Sequence, residues 1–277
     1  MTPLLSLDIS VNYGNKAILS EVSLEVAEGE ALAVIGQSGS GKSTLALAIL
    51  GLLGWQGGRM TGSLKFAGRE MIGAKERRWR ELRGKEIGLV LQSASSALNP
   101  ALRLETQLRE AWQAHSRVPW LDQKREALAL LSRFDLPTDD SFLSRFPRQI
   151  STGQAQRILI GMALLHRPAL LVADEPTSAL DPPTAREVLE SLRIANRDWN
   201  TGLVYITHDV ATVPGLCQRV AVIKEGRVVE QGACEEVFNH PCHDSTRYLL
   251  AAVTDQSCRR AGEFSEPHES ARGVGKR

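Results

Sequence analysis

One run constrains this chain more than any other: Gly36, Gln37, Ser38, Gly39, Ser40, Gly41, Lys42 and Ser43, which fits G-x-x-x-x-G-K-[ST] in full. The residue types dictate the mechanics. Glycines let the backbone turn tightly, so that successive N–H groups converge on phosphate oxygens. The start of the following helix adds its positive dipole end. Lys42 brings a point charge to the β/γ-phosphates, and the Ser43 hydroxyl is one Mg²⁺ ligand. The context fits, because residues 31–35 form a short apolar run consistent with a buried strand and residues 42–53 carry a helical pattern. A nucleoside triphosphate follows from the motif, but not which reaction it feeds.

A second acidic feature lies far downstream. Residues 170–173 are apolar and lead into Asp174 and Glu175. Adjacent strand residues point to opposite sides, so the two carboxylates take different tasks. Asp174 suits Mg²⁺, directly or through water, and Glu175 suits orienting and polarising the attacking water. Alone, the pair next to Pro176 reads better as the acidic start of a helix; with a phosphate loop upstream, the strand-end reading prevails.

Apolar runs at 5–11, 23–26, 87–91 and 203–206 predict further strands, and 220–224 with 227–230 predict a hairpin. Strand and helix alternate, which predicts a mainly parallel sheet covered by helices. Between about 93 and 165 strand signals fade and helical patterning appears at 104–114 and 121–134, which predicts a helical insertion. From about 254 the chain is polar and rich in charge, Gly and Ser, and is expected to be disordered.

The order of motifs resembles the ATP-binding subunit of ABC transporters. Gln92 stands at that family's Q-loop glutamine, Ser151, Thr152, Gly153 and Gln154 at its signature, Asp181 at its D-loop and His208 at its switch histidine. Tyr13 stands at the aromatic that stacks on adenine, although alone it fits an ordinary half-buried strand aromatic. Ser151 with Gln154 also satisfies a helix capping box by itself. The resemblance covers about residues 5–250 and implies an α/β fold: an ABC-type phosphate-loop ATPase domain over 1–253, with a mainly parallel sheet core, an N-terminal antiparallel β part and a helical subdomain at about 93–165. It implies ATP and Mg²⁺ as cofactors, with Thr44 added to the phosphate contacts and Gln92 to the metal contacts. Glu175, His208 and Gln92 are its catalytic set. Two such subunits would pair head to tail, each signature covering the γ-phosphate held by the other.

Thr152 departs from the family's usual glycine. A β-branched residue there costs roughly 1–2 kcal/mol if the position needs a left-handed backbone. That would weaken the site completed on a partner and favour a heterodimer over a homodimer. Residues 82–87, 96–100, 229–232, 237–241 and 246–250 resemble the peptide/nickel importer branch, which implies two membrane permeases, an extracytoplasmic solute-binding protein and a second ATPase subunit, at the cytoplasmic face of the inner membrane. The short form is more like the nickel or metal-chelate importers. The chief alternative is a soluble ABC-type ATPase in DNA repair or translation.

Composition bears on that alternative. Lys+Arg is 33 against Asp+Glu 32, a formal net charge of +1 over 277 residues, whereas dedicated nucleic-acid binders usually show a domain pI above about 9. The run 75–85 holds six basic residues against two acids and reads as a solvated helix face rather than a nucleic-acid patch. No apolar run approaches the ~18–20 residues of a membrane span. The N-terminus lacks the basic region of a signal peptide. Cys217, Cys234, Cys242 and Cys258 contain no C-x-x-C pair, which reads as reduced thiols and, against longer relatives of that branch, as no iron–sulfur cluster.

Overall fold

The computed structural model describes residues 2–178 and 180–251; the polar tail from 254, with Cys258, lies outside them. Among the described residues, ten strands form two sheets. Strands β1 (Leu5–Tyr13), β2 (Lys16–Val26), β4 (Gly58–Phe66) and β5 (Arg69–Glu70) make an antiparallel sheet in the order β2-β1-β4-β5. Strands β3 (Ala31–Ile35), β6 (Ile87–Val90), β7 (Leu170–Asp174), β8 (Gly202–Thr207), β9 (Arg219–Lys224) and β10 (Arg227–Ala233) make the second, in the order β10-β9-β3-β8-β7-β6. Only β10 runs antiparallel in it, paired with β9 as the hairpin pattern predicts.

The central parallel strands β3, β7 and β8 are buried on both faces, which is why they read as unbroken apolar runs, whereas the edge strand β10 has no buried residue. On one face Leu32, Val34, Val172, Val204 and Ile206 pack with the antiparallel sheet and with Leu45, Ala48 and Ile49 of the helix Lys42–Ile49. On the other, Ala33, Ile35, Val90, Ala173 and Tyr205 share one core with Leu104, Leu108, Leu131, Phe134 and Phe142 of the helical segment. That segment carries helices Leu104–Gln113 and Trp120–Ser132, close to the two predicted patterns, and a third, Thr152–Leu164. Tyr205 is fully buried, and burial pushes its phenol pKa up.

Three elements differ from the sequence expectation. β2 begins at Lys16 rather than 23, because its first half is interrupted: the register shifts between Ile9 and Val11, and Glu21 takes φ 51° with its N–H donated to Ser10 Oγ at 3.0 Å. β4 goes unforeseen because only Leu64 and Phe66 of its nine residues are buried, so no alternation shows. The first helix stops at Ile49, not 53. Gly51 turns left-handed at φ 63° beneath the Trp79 ring, where a Cβ would lie 2.3 Å from Trp79 Cε2.

The basic run forms the helix Glu76–Leu82 with Trp79 and Leu82 buried. Glu76 pairs with Arg80 and Arg83, and Glu81 with Arg77 and Arg78, at 2.8–3.5 Å. Arg83 is further spent on the Leu50 and Gly51 carbonyls. These pairings tie four of the six basic residues to the two acids of the run.

Candidate functional site

Four parallel strands end at one edge of the sheet, and each hands its next residues to the same place. The phosphate loop follows Ile35, Gln92 lies two residues past Val90, Glu175 follows Asp174 and His208 follows Thr207. The register sets these ends level: Ile35 pairs with Thr207, Asp174 with Ile206 and Val90 with Ala173. Open α/β sheets bind ligands at this carboxyl edge, where strand order reverses.

The loop is wedged between β2 and β9. A Cβ on Gly36 would sit 2.3 Å from the Ile223 carbonyl oxygen. Gly41 takes φ 105° and a Cβ there would lie 2.6 Å from Leu19 Cδ2. Neither position tolerates a side chain. Gln37, Ser38 and Gly39 are exposed, while Ser40 is buried with its Oγ lacking a hydrogen-bond partner. Gly41 starts the helix with no side-chain cap, so the first-turn N–H groups of Lys42, Ser43 and Thr44 face the loop's mouth unsatisfied by any cap. Lys42 is only 5% exposed, and its Nζ donates to the Gly36 and Gln37 carbonyls at 2.8 and 2.9 Å. Burial pulls the Lys42 pKa down, against the raising effect of Glu175 and Asp174.

Asp174 is the counterpart. Burial pushes its pKa up, a hydrogen bond from Ser43 and the Lys42 charge oppose this, and the charge of Glu175 adds to it. Its Oδ1 is buried without a hydrogen-bond partner. A buried, unpaired carboxylate oxygen beside a serine hydroxyl is the donor set that hard divalent cations take. Ser43 and Asp174 therefore fit Mg²⁺.

Beside them, three side chains from three strands meet. Gln92 Nε2 donates to Glu175 Oε2 at 3.3 Å, and His208 Nδ1 lies 3.1 Å from Glu175 Oε1. Glu175 is held by its own N–H, which donates to the Ile206 carbonyl at 2.8 Å, in a left-handed backbone of φ 47°. Asp209, next to His208, accepts from the Ala211 N–H at 3.2 Å and closes the turn that carries the histidine.

The predicted signature residues are folded as a capping box. Ser151 Oγ accepts from the Gln154 N–H and Gln154 Oε1 from the Ser151 N–H, both at 3.1 Å. Thr152 is the first helical residue and is absent from the residues of positive φ. The left-handed condition that would have made it costly does not arise, and the strain argument for an unlike partner falls with it. Gly153 answers to packing: a Cβ would lie 2.1 Å from Thr184 Cγ2 on the helix Pro182–Trp199. Thr184 is in turn pinned by Asp181, which accepts from its N–H at 3.1 Å and its hydroxyl at 2.7 Å. Gly153→Ala is expected to cost about 1–3 kcal/mol through overpacking. A thermal melt checks it, with roughly 2–4 °C lost per kcal/mol for a domain of this size.

The structure thus gathers residues 36–44, Asp174, Glu175, Gln92 and His208 in one site. Ser151–Gln154 and Asp181 form a second group on the helical side. Tyr13 contacts Gln56 through its hydroxyl at 3.5 Å and packs on Gly58, at the end of β1. Two functional candidates were not foreseen. Gln156 and Arg157 lie buried on the signature helix, at 2% and 7% exposure. Arg157 donates to the Phe134 carbonyl at 2.8 Å and pairs with Glu187 at 3.1 Å. Polar side chains on a helix that continues into buried Ile158 and Ile160 were the available signal.

Sheet edge, loop and paired carboxylates define a phosphate-loop nucleotide-binding protein. The match to the family model "ABC transporter" spans residues 19–178. The chain belongs to the ABC transporter family and is an ATP-binding ATPase of that class. It is 36% identical over 249 residues to the oligopeptide transport ATP-binding protein OppD of Escherichia coli (strain K12), covering 90% of this chain and 74% of that one. It is 36% identical over 262 residues to the glutathione import ATP-binding protein GsiA of Salmonella choleraesuis (strain SC-B67), covering 92% of this chain and 42% of that one. Among solved structures, a dimeric ATP-binding cassette in a post-hydrolysis state with ADP and phosphate bound superposes with a TM-score of 0.71 at 26% identity, over 83% of this chain and 98% of that one. Among the described residues, no helix is long and apolar enough to cross a membrane.

Proposed function

We propose that this chain hydrolyses ATP to energise import of a small solute through two partner permeases, from the cytoplasmic face of the cell's inner membrane. The observation that carries the ATPase half is the convergence of Gln92 and His208 on the Glu175 carboxylate, at 3.3 and 3.1 Å, beside Lys42 and Asp174. Glu175 accepts the proton of the attacking water and aligns it. Gln92 and His208 keep that carboxylate aimed, and His208 offers a ring nitrogen to the γ-phosphate. Lys42 and the uncapped helix start hold the phosphates. Mg²⁺, held by Ser43 and Asp174 with Gln92 nearby, supplies neutralisation of phosphate charge when bound. Tyr13 is the base platform in this reading.

The names of relatives supply the transport half: oligopeptide transport, glutathione import and peptidoglycan transport. They favour peptides over nickel as the solute class. Domain limits of 1–253, with a helical subdomain at about 93–165, are part of the same proposal. So are an extracytoplasmic solute-binding protein and a second ATPase subunit, whose phosphate loop Ser151, Thr152, Gly153, Gln154 and Asp181 would face. Affinity purification of the tagged full chain from detergent-solubilised membranes tests it. Two integral membrane permeases should co-purify. Recovery with DNA-repair or translation proteins instead would establish the rival reading.

A further inference from the structure

We infer that Gln156 is a positioning residue for ATP hydrolysis, a single buried amide that ties the loop carrying Gln92 to the signature helix. This rests on the proposed part of Gln92 in hydrolysis.

β6 ends at Val90 and the next helix begins at Ala94, so residues 91–93 lie between two regular elements. The Leu91 carbonyl and the Ala94 N–H, at the two ends of this segment, find their partners outside both elements. Gln156 supplies two at once. Its Oε1 accepts from the Ala94 N–H at 3.1 Å and its Nε2 donates to the Leu91 carbonyl at 3.0 Å. These two bonds bracket Gln92 on either side, across 62 and 65 residues of sequence. Gln156 is 2% exposed, whereas Leu91 is 42% exposed and Gln92 is exposed. The anchoring amide is therefore in the core, and the residues it brackets are at the surface.

Two consequences follow from the geometry. Gln92 reaches Glu175 at 3.3 Å, the outer limit of a useful hydrogen bond, so a small drift of its loop breaks the contact. Gln156 also lies in the helix that begins with the Ser151–Gln154 capping box, two residues beyond Gln154. Displacement of that helix is passed through the Gln156 amide to the backbone on either side of Gln92. Gln156 touches neither reacting atoms nor phosphate; it acts through Gln92.

The test compares Gln92→Ala, Gln156→Leu and the double variant in the full chain assembled with its permeases. ATP turnover and KM for ATP are measured, and a cooperative melt is required of each. Gln156→Leu keeps the volume and removes both bonds. Misplacing a catalytic group lowers rate steeply, so Gln156→Leu and Gln92→Ala are each expected to lower kcat about tenfold, with KM for ATP within about twofold. The double variant is expected to be no slower than Gln92→Ala alone, because both changes break one contact. Full kcat in Gln156→Leu, or losses that multiply in the double variant, overturns the inference. Should Gln156→Leu not fold, Gln156→Glu, which keeps the acceptor for Ala94 but sets an oxygen against the Leu91 carbonyl, takes its place with the same two outcomes. An unchanged kcat in Gln92→Ala strikes instead at the reading of Gln92 itself, and the inference falls with it.

Discussion

Glu175→Gln is expected to lower ATP turnover by about 10²–10⁴-fold, the span that a positioned general base contributes. The change is nearly isosteric. The amide oxygen can still accept from Gln92, which now reaches it at 3.3 Å, or from His208 at 3.1 Å. What is lost is the capacity to accept a proton and the negative charge that polarises water. The phosphate loop is untouched, so ATP binding should stay within a factor of a few. Phosphate release and equilibrium binding of ATP, measured side by side, separate the two. Wild-type turnover in the variant would refute the assigned base, and loss of binding would mean that Glu175 serves the loop rather than the water.

Lys42→Ala is expected to do the opposite: to remove binding and hydrolysis together. Burial pulls the Lys42 pKa down, and the charges of Glu175 and Asp174 oppose that shift. Deleting it removes the phosphate's counter-charge and leaves Asp174, whose pKa burial already raises, without its cationic neighbour. Losing one such electrostatic donor costs roughly 3–4 kcal/mol, or about 10²–10³-fold. Lys42→Arg is no substitute. The two carbonyls at 2.8 and 2.9 Å fit a compact ammonium, and the planar guanidinium fork is longer and wider. Titration with ATP checks both. An affinity unchanged in Lys42→Ala would place the phosphates elsewhere.

What the sequence could convey tracks how local each feature is. The phosphate loop is contiguous, so eight residues carry its geometry, and the structure adds only what crowds Gly36 and Gly41. The capping box at Ser151 and Gln154 was equally legible, because two residues three positions apart set it. The meeting of Gln92, Glu175 and His208 is of another kind. It depends on strand order β8-β7-β6, which no run of residues encodes, and only the family resemblance placed the three together. Thr152 shows the reverse error: a rule about left-handed backbone was applied to a position that is an ordinary first helical turn. Gln156 escaped notice because its partners lie 62 and 65 residues away. β4 and the early stop at Gly51 were hidden by exposure and by a tryptophan that packs from outside the helix.

The left-handed backbone at Glu175 has a consequence for how this chain can change. A side chain in that conformation costs about 1–2 kcal/mol relative to glycine, which adopts it freely. The position is thus a standing trade between durability and turnover. A glycine there would make a sturdier fold with no chemistry. Any random search for hardier variants will drift toward emptying the residue that the reaction depends on, so a screen on melting temperature alone would select against the enzyme.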